Sequence, residues 1–233
     1  MDTDNFTKEE QELYDKVQAA REEDPLAGVT MGAKDIFNMI AVSCKNDMNQ
    51  ISIMDFLLYA GGMAGFACQV VPMFNTVVKE GVDIKKVFKI VMTERGDRYW
   101  FGEKINKLLY GEEHSIWSYV LSAYRNLCPD KPVPDVTKTV KRAISCMGNT
   151  EYKICGKMTA DELLTEYAKK WKMIFRKLTI YCPSATEWPI LFGMIIEKGF
   201  NSVKGIVEPD MVWQYIMEAA LFGSKMDIAS QKV

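Results

Sequence analysis

The chain has 233 residues, enough for one large domain or two small ones, and 48% of them are hydrophobic against 26% charged. That balance can bury a substantial core and excludes a disordered or fibrous chain. A net charge of −2 excludes a strong global attraction to nucleic acid or to acidic membranes.

The opening residues 1–11 are acidic and polar and resemble no signal or transit peptide. Thr7 and Glu10 have capping-box spacing and predict a helix over about residues 8–23, with Leu13, Tyr14, Val17 and Ala20 on its inner face. Residues 1–24 hold nine acids against three bases, a formal −6. Pro25 to Gly32 reads as a loop. A second helix follows, with Ile36, Phe37, Met39, Ile40, Ser43 and Cys44 facing inward. Asn46 to Gln50 is a polar turn.

The dominant stretch runs from Ile51 to Phe74. Ser52 and Asp55 suit a helix start, and Phe56 to Phe74 carries no charge over nineteen residues. Gly61 and Gly65 lie four apart beside Ala60 and Ala64, leaving one face almost bare backbone for another helix to approach. The expectation is a buried central helix that Pro72 ends or kinks. Residues 56–74 also have the length of a membrane span, and Gly61-xxx-Gly65 is a membrane packing motif. Gln69, Pro72, the glycines and the missing flanking Lys/Arg cluster weigh against the span.

Residues 82–102 read in two ways. Asp83 caps a helix carrying Ile84, Val87, Phe88, Val91 and Met92. Alternatively the helix stops near Val87, and a hairpin of Lys89–Thr93 and Arg98–Phe101 turns at Arg95-Gly96-Asp97. In the hairpin, one register buries Tyr99 and Phe101 and presents Arg98 and Trp100 outward together; the opposite register buries Trp100. Lys104–Leu109 is a short helix closed by Gly111. Ser115 caps the next one, with Ile116, Tyr119, Val120, Ala123 and Leu127 inward. Residues 128–134, with Pro129, Pro132 and Pro134, form the clearest linker and the place where 1–233 would divide if it were two domains; one unit is the preferred reading. Asp135 caps a helix to about Met147. Thr159 and Glu162 form another capping box, before a stripe from Leu163 to Leu178. Pro189 opens a helix ending near Gly199, and Pro209 opens the last one, with Gly223 as its stop. Residues 131–177 hold eleven bases against five acids, a formal +6 that complements the acidic start.

Motifs for chemistry are scarce. Gly61-Gly62-Met63-Ala64-Gly65 lacks the Lys-Ser/Thr ending of a phosphate loop, and no GxSxG elbow occurs. His114 is the sole histidine, and the six cysteines form no CxxC pair, so no metal site or cofactor is expected. Scattered thiols fit a reducing, cytoplasmic setting. The densest aromatic and charged cluster is Arg98, Tyr99, Trp100 and Phe101, with His114 and Trp117 nearby in sequence. The expectation is an all-α or predominantly α multi-helix bundle with one small hairpin near residues 89–101. Its expected function is that of a non-enzymatic interaction protein, an adaptor or inhibitor acting through helix faces and the aromatic/Arg segment on a protein partner or a second copy. The alternative is an enzyme or small-molecule binder with a pocket near Arg98, Trp100, His114 and Trp117, marked by His114 or Cys128 facing an apolar cavity. The basic 131–177 surface lacks the motif context of a nucleic-acid binder.

Overall fold

The computed structural model describes residues 6–111 and 113–230. Among them the chain forms ten α-helices and two small antiparallel sheets, a predominantly α bundle. Helix α1 (Lys8–Glu23) starts where the Thr7 hydroxyl accepts the Glu10 N–H and the Glu10 carboxylate accepts the Thr7 N–H. Helix α2 (Ala27–Ser43) absorbs most of the expected loop. Gly28 and Gly32 are helical because another element crosses them: a Cβ on Gly32 would lie 2.8 Å from Tyr181 Cβ and from Leu191 Cδ1. Tertiary packing overrides the weak helix propensity of glycine here.

Helix α3 (Ile53–Pro72) is capped by Ser52 and buried at every residue from Phe56 to Gln69. It is long and apolar enough to cross a membrane, yet 89% of its most apolar window lies inside the protein. The helix covering it most extensively is α10 (Pro209–Lys225). A Cβ on Gly61 would meet the Ile216 carbonyl oxygen at 2.6 Å, and Gly65 presses on the Ala220 carbonyl in the same way. Gly223 does not stop α10; it packs on the Gly62 backbone inside the helix. The one amide in this stretch of α3 is satisfied, since Gln69 Nε2 donates to the Ser224 and Met226 carbonyls at 3.1 Å each. After Pro72, which has no N–H to give, the chain runs on as a π-helical stretch, Met73–Lys79.

A single turn α4 (Ile84–Val87) leads into strands β1 (Lys89–Met92) and β2 (Arg98–Phe101). Helices α5 (Glu103–Tyr110) and α6 (Ile116–Leu127) follow, then the proline-rich segment, then α7 (Val136–Cys146), capped by Asp135. Strands β3 (Lys153–Ile154) and β4 (Met158–Thr159) make a second small hairpin that sequence patterning does not predict. Its turn holds Cys155 and Gly156 at positive φ, 53° and 69°. Helix α8 (Ala160–Tyr181) starts at the Thr159–Glu162 capping box, and α9 (Trp188–Ser202) carries Pro189 in its first turn and runs past Gly199. One cluster of buried apolar residues extends from Val17 to Ile228, and α3, before the proline-rich segment, packs on α9 and α10 after it.

The acidic start and the basic stretch meet within the chain. They do so where Arg176 on α8 pairs with Glu10 on α1 at 2.5 Å; the neighbouring Lys177 pairs instead with Asp35 on α2, outside the acidic start, at 2.7 Å. The Arg176 guanidinium, helped by the Thr7 N–H, holds the Glu10 carboxyl down from the usual 4.5 to about 2. A carboxyl depressed in the folded state contributes stability that is complete above its unfolded value and lost as pH falls toward the folded one. Protease cleavage within α1 should therefore accelerate as pH is lowered from about 4.5 toward 2, and Glu10→Gln should flatten that profile. A wild-type profile no steeper than the variant's would rule out this pair as the anchor of α1.

Candidate functional site

Strand β1 pairs antiparallel with β2, Lys89 opposite Phe101, Ile90 opposite Trp100, Val91 opposite Tyr99 and Met92 opposite Arg98. The turn is closed by the Thr93 N–H on the Asp97 carbonyl at 2.9 Å, with Gly96 at φ 92°. Arg95 ties Asp97 at 2.9 Å and Asp161 on α8 at 3.1 Å. Arg-Gly-Asp is thus a turn pinned to the protein's own body.

Strand β2 is held along both edges, by β1 on one side and by a bridge from Tyr99 to Met226 on the other. Arg98 is exposed, and its Nε lies 3.0 Å from Asp227. Tyr99 is buried and its hydroxyl accepts the Gly148 N–H at 3.3 Å. Trp100 is also buried, edge-on to Phe88 with ring centroids 5.5 Å apart. Neighbouring strand residues point to opposite faces, so β2 is covered on both. Neither simple register holds, and the outward pairing of Arg98 with Trp100 does not form. Phe101 is half-buried, with the Lys225 ammonium 5.6 Å from its ring.

The remaining predicted residues lie elsewhere. His114 is exposed at φ 50°, just before the Ser115 cap of α6. Trp117 is half-buried and edge-on to Trp213 on α10 at 5.6 Å. Arg98 and Tyr99 line a cavity of about 190 Å³ with Asp161 and Asp227, whereas Phe101 borders a shallow cleft beside Lys85 and Lys89. The structure thus distributes the six residues over several environments.

What the hairpin offers outward is β1. All four of its residues are exposed, and three are large and apolar: Ile90 at 38%, Val91 at 41% and Met92 at 65%. Antiparallel ladders alternate between hydrogen-bonded and non-bonded pairs. Counting from the Thr93–Asp97 bond, Val91 and Lys89 bond to β2, so the N–H and C=O groups of Ile90 and Met92 point to the open edge. An exposed apolar edge with unpaired backbone groups is a template for another strand. The signal was present in the sequence as three consecutive apolar residues, Ile90-Val91-Met92, in a strand too short to be covered on both faces. No protein-family model matches the chain, and no curated protein or solved structure matches it.

Proposed function

We propose that the protein is a non-enzymatic interaction module, of adaptor or inhibitor type, that takes up an extended segment of a protein partner along the edge of β1. The observation that carries this reading is the exposure of Ile90, Val91 and Met92 on a strand whose outer edge is open while its neighbour β2 is anchored on both sides. Strand addition supplies main-chain hydrogen bonds for affinity and alternate side chains for specificity. The rigid bundle behind the hairpin keeps the edge extended, which lowers the ordering cost of binding. A reducing, cytoplasmic setting belongs to the same proposal, and the six unpaired cysteines support it.

The test is selection of peptides from a random library on the full chain. Selected peptides should be β-prone, and Met92→Pro, which removes an outward N–H at an edge position that tolerates proline, should weaken them roughly tenfold or more, about 1.4 kcal/mol. Methylation of alternate peptide nitrogens should have a similar effect, because it removes the same ladder bonds. A library that yields no binders, or binders indifferent to Met92→Pro and to N-methylation, would overturn the reading.

A further inference from the structure

The open edge of β1 has differently charged ends. Just before it, the single turn α4 places Lys85 and Lys86 beside Lys89, the first residue of the strand. The three line a shallow cleft of about 460 Å³ that reaches Phe101, opposite Lys89 in the ladder, and Asn106 on α5. All three lysines are exposed, and none of the ion pairs among the described residues includes them. Glu103 is the one carboxylate among the lining residues, and it lies in the first turn of α5, where the helix dipole already favours it. Asp83 is committed to capping α4, accepting the Lys85 N–H at 2.9 Å.

The turn end has the opposite sign. Glu94 is exposed there and belongs to none of the ion pairs among the described residues. Arg95 is shared between Asp97 and Asp161, at 2.9 and 3.1 Å, so with Glu94 this end holds three carboxylates against one guanidinium. Arg98, the next cation along, is paired with Asp227 at 3.0 Å. Between the two ends Ile90, Val91 and Met92 carry no charge. Lysine is one of the residues that keep exposed edges from pairing. Here it stands at one end only and leaves the apolar run clear, an arrangement that selects a partner rather than blocking every one.

We infer that the segment taken up by β1 is an acidic peptide whose carboxylates cluster at one end, over Lys85, Lys86 and Lys89, while its uncharged β-prone residues lie along Ile90, Val91 and Met92. The inference rests on the strand-addition reading and adds the partner's charge pattern to it. Every second residue of an added strand shares a face with Lys89 and Val91, and a strand that runs on past Lys89 comes within reach of Lys85 and Lys86. A carboxylate at the turn end meets Glu94 instead. Attraction between exposed charges persists over about 8 Å at physiological salt. It steers encounter and fixes register more than it tightens the complex. The lysines therefore place the strand, and the ladder bonds of Ile90 and Met92 hold it.

The experiment takes an uncharged core from the library selection and extends it with glutamates at its N-terminus, at its C-terminus, or with glutamines at either end. Association with the full chain is timed across a range of salt. One glutamate placement should associate roughly tenfold or more faster than its glutamine counterpart at low salt, and the gain should fade as salt is raised. Lys85→Glu combined with Lys86→Glu should abolish the gain and leave the thermal midpoint in place, both side chains being exposed. Met92→Pro should weaken glutamate and glutamine peptides alike. Peptides that respond to Met92→Pro but ignore their own carboxylates and the lysine reversal would overturn this inference and leave strand addition standing. Equal gains from both placements would overturn it too, since they mean attraction without register. A library that yields no binders overturns both readings. Vesicles of phosphatidylcholine and phosphatidylserine form the last arm: capture of the chain that the lysine reversal abolishes, with peptides indifferent to that reversal, would assign the lysines to a lipid surface and overturn the inference.

Discussion

A leucine at Gly65 should cost about 3 kcal/mol or more and leave little folded protein in a domain of ordinary marginal stability. The contact it invades is backbone: the Ala220 carbonyl lies where the first side-chain carbon would go, with the Ser224 N–H at 2.8 Å. A flexible side chain can swing aside, whereas a carbonyl moves only if α10 moves. Displacing α10 would also break the Gln69 bonds to Ser224 and Met226 and open the Gly62–Gly223 contact. Gly65→Ala should already be destabilising. Gly205→Ala is the control: nothing lies within 4 Å of that Cβ, and only its φ of 77° is strained, so about 1 kcal/mol is expected. Urea unfolding of the three variants measures the order. An unchanged midpoint for Gly65→Leu would mean that α3 and α10 are not in backbone contact.

That contact was half legible. The small-residue face of α3 can be seen in the sequence because its cause is local, four-residue spacing on one helix. The opposing Gly223 has the sequence context of a helix stop, since nothing near it reveals that a distant helix needs the same absence of side chain. The capping boxes at Thr7 and Thr159 were legible for the same local reason, as was the hairpin from its turn and its two apolar runs. The inner side of β2 was not. Alternation identifies a buried face only when the other face is wet, and both Tyr99 and Trp100 are covered.

Lys225→Met should make the protein more stable by about 2 kcal/mol at pH 7, an unusual direction for a core substitution. Lys225 ends α10 and is 2% exposed, and none of the ion pairs among the described residues includes it. Its ammonium donates to Asn106 Oδ1 at 2.7 Å and lies 5.6 Å from the Phe101 ring. A cation near a helix C-terminus gains from the helix dipole. Burial outweighs that gain and pushes the ammonium from its usual 10.5 down to about 8. The displacement corresponds to about 3 kcal/mol, and losing the Asn106 bond returns about 1 kcal/mol of it. The unfolded chain holds more protons than the folded one between those two values, so wild-type stability should rise as pH goes from about 8 to 10.5. Below that window the penalty is complete, and above it both states are neutral. The methionine variant should lack this rise, so the wild-type curve should cross the variant's within that window and lie about 1 kcal/mol above it near pH 10.5, where the Asn106 bond remains. Phe101 is the partner of Lys89 in the hairpin, so Lys225 lies behind β2 rather than at the open edge. Peptides selected on β1 should therefore bind the variant as they bind the wild type. Denaturant titrations from pH 7 to 10.5 decide the matter: parallel curves would mean that water reaches the ammonium and that the wall formed by Phe101 and Asn106 is open.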